Sequence, residues 1–178
     1  MDVLNMLNTK YFISKSGKAQ QNPSALGNAW FVEEIIIVPD ADAEIEYLNK
    51  FDPLNTAIVD VRFKDQLYEN IDNKQSNIKL TDYKPNYLRY QSTNKDNGVA
   101  VFSEIYYDKG WNAYLNGNLT PHFRTNYVLR AMNVPAGNHT IEFKFEPETY
   151  KIGEKVSFIS SLILVLLLIF VSFKELKK

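Results

Sequence analysis

Six aromatic residues, Tyr106, Tyr107, Trp111, Tyr114, Phe123 and Tyr127, fall close together in the second half of the chain, with Arg124, Asn126 and Arg130 interleaved among them. Sugars rest their C–H faces on aromatic rings while Arg and Asn supply hydrogen bonds, so this grouping suits a shallow saccharide site. Tyr106, Trp111, Arg124 and Asn126 are the candidate glycan-binding residues. Core packing is the competing account, and it explains most of the rings, because a buried Trp is a common feature of β-sandwiches. Arg124 and Asn126 are the members best suited to contacts outside a core.

The acids Asp40, Asp42, Glu44 and Glu46 form the second grouping with chemical potential. A calcium loop needs alternating acids running into a Gly, which this stretch lacks. The four read instead as the cap and solvated first turn of a helix, where the macrodipole favours negative charge. Glycosidase chemistry needs two carboxylates at a set separation, and nothing in the sequence selects such a pair. No nucleophile elbow, phosphate loop or dinucleotide Gly pattern occurs. The absence of Cys excludes thiol catalysis and Cys-ligated zinc, and the two histidines, His122 and His139, are expected to be exposed beside turns. No catalytic residue, cofactor or metal site is therefore assigned. Asn118-Leu119-Thr120 and Asn138-His139-Thr140 fit the glycosylation pattern but read as turn chemistry. A net charge of -1 with no basic block argues against nucleic acid as a partner.

The elements that must position these residues are mostly strands. Leu4, Leu7 and Phe12 suggest a short amino-terminal helix running towards Ile13, followed by a polar, Gly-containing loop over residues 14–21. Residues 30–38 are β-branched and aromatic enough for a strand ended by Pro39, and Asp40 then caps a helix with Ala41, Ile45 and Leu48 on one face, closed by Pro53. Ala57, Val59, Val61 and Phe63 alternate with polar neighbours as a further strand. From Ile78 onward the period is two, with strands at Ile78 and Leu80, around Leu88 and Tyr90, over residues 99–105, around Trp111 to Leu115, over residues 127–133, and at Ile141, Phe143 and Phe145. Asp96-Asn97-Gly98, Asn116-Gly117 and Pro135-Ala136-Gly137-Asn138 are the turn signals between them. The expected fold is mainly β: an antiparallel β-sandwich with a small α+β amino-terminal part and one carboxy-terminal transmembrane helix. The expected divisions are a subdomain at 1–63, a polar connection at 64–77, the sandwich at 78–150, the helix at 154–173 and a cytoplasmic tail at 174–178. Residues 22–38 could equally pair with the later sandwich.

Residues 156–173 contain fourteen Leu, Ile, Val or Phe and four Ser, with no charge, Gly or Pro. Such a run covers about 27 Å as a helix, close to the hydrocarbon thickness of a bilayer. The amino terminus has an early acid and is interrupted by two Asn, so it does not read as a signal peptide. The sequence then describes either a tail-anchored protein or the end of a many-span protein. Lys174, Lys177 and Lys178 beyond the span, against Lys151 and Lys155 before it, favour a cytoplasmic carboxy terminus slightly.

Several ordered blocks carry a family resemblance. Met6-Leu7-Asn8-Thr9-Lys10-Tyr11-Phe12-Ile13, Asn22-Pro23 to Gly27-Asn28-Ala29-Trp30-Phe31-Val32, Tyr107-Asp108-Lys109-Gly110-Trp111-Asn112-Ala113-Tyr114, Asn126-Tyr127-Val128-Leu129-Arg130-Ala131 and Val134-Pro135-Ala136-Gly137-Asn138-His139-Thr140-Ile141-Glu142-Phe143, followed by Pro147 and the span, resemble the carboxy-terminal region of the YfhO-type bacterial membrane proteins. That family is similar to the GT-C glycosyltransferases, which take sugars from polyprenyl-phosphate donors outside the cytoplasmic membrane. The resemblance implies an extracytoplasmic β-domain and a final span at the cytoplasmic membrane. It also implies that catalytic groups lie in an amino-terminal membrane part not contained here, so none is carried over. The implied role is accessory to glycosyl transfer onto a lipid-linked or cell-envelope acceptor, without catalysis by this region. The partners would be the bilayer, that membrane part and an envelope glycan. A carbohydrate-binding module and a purely structural domain are the rival expectations.

Overall fold

The computed structural model describes residues 1–68, 71 and 76–176. Residues 1–145 form one compact unit and residues 146–178 a second. In the first, a five-stranded antiparallel sheet has the order β10 (Asn118–Thr120), β9 (Trp111–Leu115), β13 (Gly137–Phe145), β7 (Tyr87–Asn94) and β6 (Asn77–Lys84). A four-stranded antiparallel sheet has the order β11 (Phe123–Thr125), β12 (Leu129–Val134), β8 (Gly98–Ile105) and β3 (Ala29–Val32). The fold is thus mainly β, as the period-two patterning predicts.

One face of the four-stranded sheet packs on the five-stranded sheet through Ala100, Phe102, Met132 and Val134 against Leu88, Tyr90, Ile141 and Phe143. Its other face, through Val99, Val101, Leu129 and Ala131, packs on residues of a βαβ unit. That unit comprises β4 (Glu34–Val38), α2 (Ala41–Tyr47) and β5 (Thr56–Asp60), with β4 and β5 paired in parallel. Cover on both faces explains why β12 is buried at five of six positions and β5 at all five, a pattern alternation cannot reveal.

Several sequence expectations change at this unit. The single strand expected over residues 30–38 breaks at Glu33, because its first half pairs with β8 and its second half with β5. The strand expected to run through Phe63 ends at Asp60, whose carboxylate caps a 3-10 helix, Val61–Gln66, by accepting from Arg62 N at 3.0 Å. The expected connection at 64–77 thus begins in helix, and its residues 69, 70 and 72–75 lie outside the described residues. The buried face of α2 also shifts. Glu44 is fully buried while Ile45 is 44% exposed, so the inward position is a charge rather than the expected Ile. At the amino terminus, α1 (Asp2–Met6) buries Met6 and leaves Leu4 and Leu7 outward, and Phe12 belongs to β1 (Tyr11–Ile13), which pairs with β2 (Ala19–Gln21) inside the expected loop.

Asn116-Gly117 is a tight hairpin between β9 and β10, with both residues at positive φ, 50° and 84°. The other two turn signals are not hairpins. The link from β7 to β8 and the link from β12 to β13 each carry the chain from one sheet to the other. The two arches are tied together. Asn94 Nδ2 donates to the Val134 and Pro135 carbonyls, and Asn97 Oδ1 accepts from Ala136 N at 3.1 Å.

The second unit contains α3, Glu148–Leu176, 29 residues with no buried side chain. It is the one helix among the described residues long and apolar enough to cross a membrane. Ser160 and Ser161 return their hydroxyls to carbonyls four residues back, which removes the polar cost of placing them in an apolar helix. Of the expected tail, Lys177 and Lys178 lie outside the described residues.

Candidate binding site

The four candidate glycan residues divide into two pairs with different surroundings. Arg124 and Asn126 belong to the joint between β11 and the βαβ unit. Arg124 Nη2 meets Glu44 Oε2 at 2.6 Å and Asp60 Oδ2 at 3.6 Å, and its guanidinium lies over the Tyr127 ring at 5.5 Å. Asn126 is fully buried and accepts at Oδ1 from Ile58 N at 2.8 Å. Its own backbone N–H donates to Ile58 O at 2.9 Å, and Thr125 Oγ1 donates to the same carbonyl. Asn126 and Tyr127 both have positive φ, 48° and 67°, a conformation that turns Tyr127 N towards Glu44 Oε1 at 2.7 Å. The expectation that Glu44 is a solvated helix acid is therefore corrected: burial raises its pKa, opposed by the Tyr127 N–H and by Arg124.

Tyr106 and Trp111 belong to a different group, organised around the buried Phe143 ring. Phe102 meets that ring edge-on at 4.8 Å, Tyr90 at 6.2 Å and His122 at 5.7 Å. The Arg130 guanidinium lies 4.8 Å from Phe143 and 4.6 Å from Trp111, between the two rings. Trp111 leans on Phe145 at 5.4 Å, and Tyr106 lies against His122 at 5.3 Å and edge-on to Phe63 at 5.9 Å. Of the set, Tyr90, Phe102, Arg130 and Phe143 are buried, whereas Tyr106, Trp111 and His122 are half-buried and form its more exposed part.

Polar bonding within this group is incomplete. Arg130 is 2% exposed, and its Nε reaches the Ile105 carbonyl at 3.3 Å, but buried Nη1 has no hydrogen-bond partner. Tyr90 Oη and His122 Nε2 are buried and unpartnered as well. Burial raises the pKa of the Glu104 carboxyl, which the Arg130 charge counteracts, and burial also raises that of Tyr90. His122 is pushed down to about 4, by burial first and by the Arg130 charge second. It was expected to be exposed beside its turn. The rings of Tyr106 and Phe143 enclose it instead, because β10 ends one residue before Pro121 and turns the chain inward towards β11. His139 is half-buried and bridges two turns, with Nδ1 at 2.9 Å from Asn116 Nδ2 and Nε2 at 3.2 Å from the Ala136 carbonyl.

Sequence reading missed Tyr90 and Phe143 as parts of this group. The inward alternation of Leu88 with Tyr90 and of Ile141 with Phe143 identified core positions, but it held no signal that a charged Arg would share that core. Among the described residues, no cluster of three or more His, Asp or Glu is arranged to hold a metal.

A mainly β domain followed by an apolar helix of membrane-spanning length defines the class of protein. Residues 47–175, most of the chain, match the family described as bacterial membrane protein YfhO, and the chain belongs to that family. No curated protein and no solved structure matches it.

Proposed function

We propose that the chain is the extracytoplasmic β-domain and last membrane span of a polytopic YfhO protein, accessory to the transfer of a sugar from a polyprenyl phosphate to an envelope acceptor. The observation carrying this reading is the family match that runs from within the first unit into the apolar helix, over residues 47–175. Membership in a membrane protein family supports a membrane location, and the resemblance to GT-C enzymes supplies the sugar-transfer chemistry. The lysines near the end of α3 favour an inside carboxy terminus, which puts the β-domain outside. The domain contributes contacts and positioning, while bond breaking belongs to other membrane helices of the parent protein.

Two measurements test the proposal. Tags at Lys178 and within residues 64–77, probed from outside intact cells carrying the full-length parent, should leave the first protected and the second accessible; the reverse result discards the topology. Deletion of residues 1–145 from the parent should abolish sugar transfer to its acceptor, and the isolated chain should catalyse none. Undiminished transfer without the domain, or transferase activity in the isolated chain, overturns the accessory role.

A further inference from the structure

The hairpin of β1 and β2 carries large apolar side chains that neither core absorbs. Among the described residues its two strands pair only with each other. Tyr11 and Ile13 alternate with half-buried Phe12 and so share one face, where they are 62% and 80% exposed. The charge around them is of one sign. Residues 3–32 contain Lys10, Lys15 and Lys18 but no Asp or Glu, in a chain whose net charge is -1. All three lysines are exposed.

The root of the hairpin is fixed to the rest of the first unit. Buried Asn22 donates from Nδ2 to Asn5 Oδ1 at 2.9 Å and to the Thr9 carbonyl at 2.8 Å, and its N–H donates to the Lys10 carbonyl at 2.8 Å. Ser103 Oγ, on β8, lies 2.7 Å from both the Met6 and the Gly27 carbonyls, which ties the same segment to the four-stranded sheet. The tip satisfies its own polar groups. Ser14 N–H donates to Lys18 O at 3.0 Å, Gly17 N–H donates to Ser14 O at 2.9 Å, and the Ser14 and Ser16 hydroxyls pair at 2.8 Å. Gly17, at a φ of 76°, closes this turn. A turn bonded within itself enters a water-poor region at less cost than one that depends on solvent.

Exposed apolar residues rimmed by polar ones mark a protein or a membrane contact, and here the charge chooses between the two. Anionic headgroups attract exposed lysines, Tyr favours the headgroup level, and a Lys stem lies along apolar surface while its ammonium stays among phosphates. The dimensions agree: three residues of strand extend about 10 Å, and interfacial elements bury about 5–10 Å into the headgroup and acyl boundary. Membership in a membrane protein family and the apolar α3 already bring the chain to a bilayer.

We propose that the β1 and β2 hairpin docks on an anionic phospholipid surface, with Tyr11 and Ile13 entering the interface and Lys10, Lys15 and Lys18 on lipid phosphates. It gives the chain a second attachment besides α3 and is independent of the sugar-transfer reading.

The test places one environment-sensitive fluorophore at the tip through Ser16→Cys, because the chain has no Cys of its own. The full chain is reconstituted into vesicles of phosphatidylcholine mixed equally with phosphatidylglycerol, or of phosphatidylcholine alone, each with and without lipids brominated on their acyl chains. In the mixed vesicles the label should shift to the blue and be quenched by brominated lipid, and in phosphatidylcholine alone much less so. Lys15→Gln and Lys18→Gln should each lower the ratio of docked to undocked hairpin by about fivefold, and Ile13→Ser by about tenfold. Absence of quenching in the mixed vesicles, quenching equal in the two lipids, or quenching unmoved by all three substitutions overturns the proposal. A blue shift without quenching gives the tip a protein neighbour and overturns it as well. Carbonate extraction reads α3 separately, so a released chain refutes the span while the label still decides the hairpin.

Discussion

Asn126 and Ile58, 68 residues apart, hold each other through two hydrogen bonds: Asn126 N–H donates to Ile58 O at 2.9 Å, and Ile58 N–H donates to Asn126 Oδ1 at 2.8 Å. A side-chain amide thus completes a ladder rung between β5 and the chain leaving β11. It closes the joint between the βαβ unit and the four-stranded sheet where no backbone acceptor is in register.

Asn126→Ala leaves the buried Ile58 N–H without its acceptor and places an Ala at a φ of 48°. The expected loss is about 2–3 kcal/mol, combining an unsatisfied donor with left-handed backbone strain. Urea unfolding should show a lower midpoint with an unchanged slope. A variant as stable as the wild type would refute the structural role of this rung.

Glu44 and Arg124 test the same joint electrostatically. Arg124→Met leaves the buried Glu44 carboxylate with the Tyr127 N–H but no paired cation, at an expected cost of about 3 kcal/mol or more. Glu44 has a folded-state pKa above its ordinary 4.5, so the folded chain binds this proton more tightly than the unfolded chain. Its contribution is most favourable below 4.5 and falls as pH rises through the folded value. Glu44→Gln should remove that slope in a stability-against-pH series.

His122 acts in the opposite direction. Held neutral with a pKa of about 4 against an ordinary 6.5, it contributes fully above pH 6.5, and stability falls as pH drops towards 4 because the unfolded chain takes up the proton first. His122→Gln should flatten the acid side of the thermal stability profile between these values. An unchanged slope would mean that the ring is solvated in solution.

Gly110 abuts the Phe145 ring, which leaves no room for a methyl group. Gly110→Ala should displace Phe145 from Trp111, at a cost of about 1–3 kcal/mol for overpacking. Phe145→Leu in the same chain should recover part of the loss, because the smaller side chain vacates that space. A double-mutant cycle with zero coupling would disprove the contact.

Leu166 lies near the middle of the apolar run of α3. Leu166→Arg should disfavour membrane insertion by about 3 kcal/mol and shift the chain from the carbonate-resistant membrane fraction to the soluble or aggregated one. Retention equal to that of the wild type would argue against a spanning role for α3.

Local patterning determined the strand-rich class, the amphipathic strands β7 and β13, the Asn116-Gly117 hairpin and the length and apolarity of α3. Each depends on period or hydropathy within a few consecutive residues, which the chain carries wherever it folds. Partner choice does not. Whether residues 30–38 stay one strand depended on β8 and β5, distant segments that claim separate halves. The character of each charge was likewise decided in three dimensions: Glu44 reads as a surface acid until Arg124, 80 residues away, meets it in the interior. Arg124 and Arg130 look equivalent in the sequence as interleaved cations, and β12 opposes one directly to the other. Only the packed structure shows that the first is neutralised by carboxylates while the second lies between aromatic rings with a donor unspent, because ion pairing depends on what other elements bring within about 4 Å and not on neighbours along the chain.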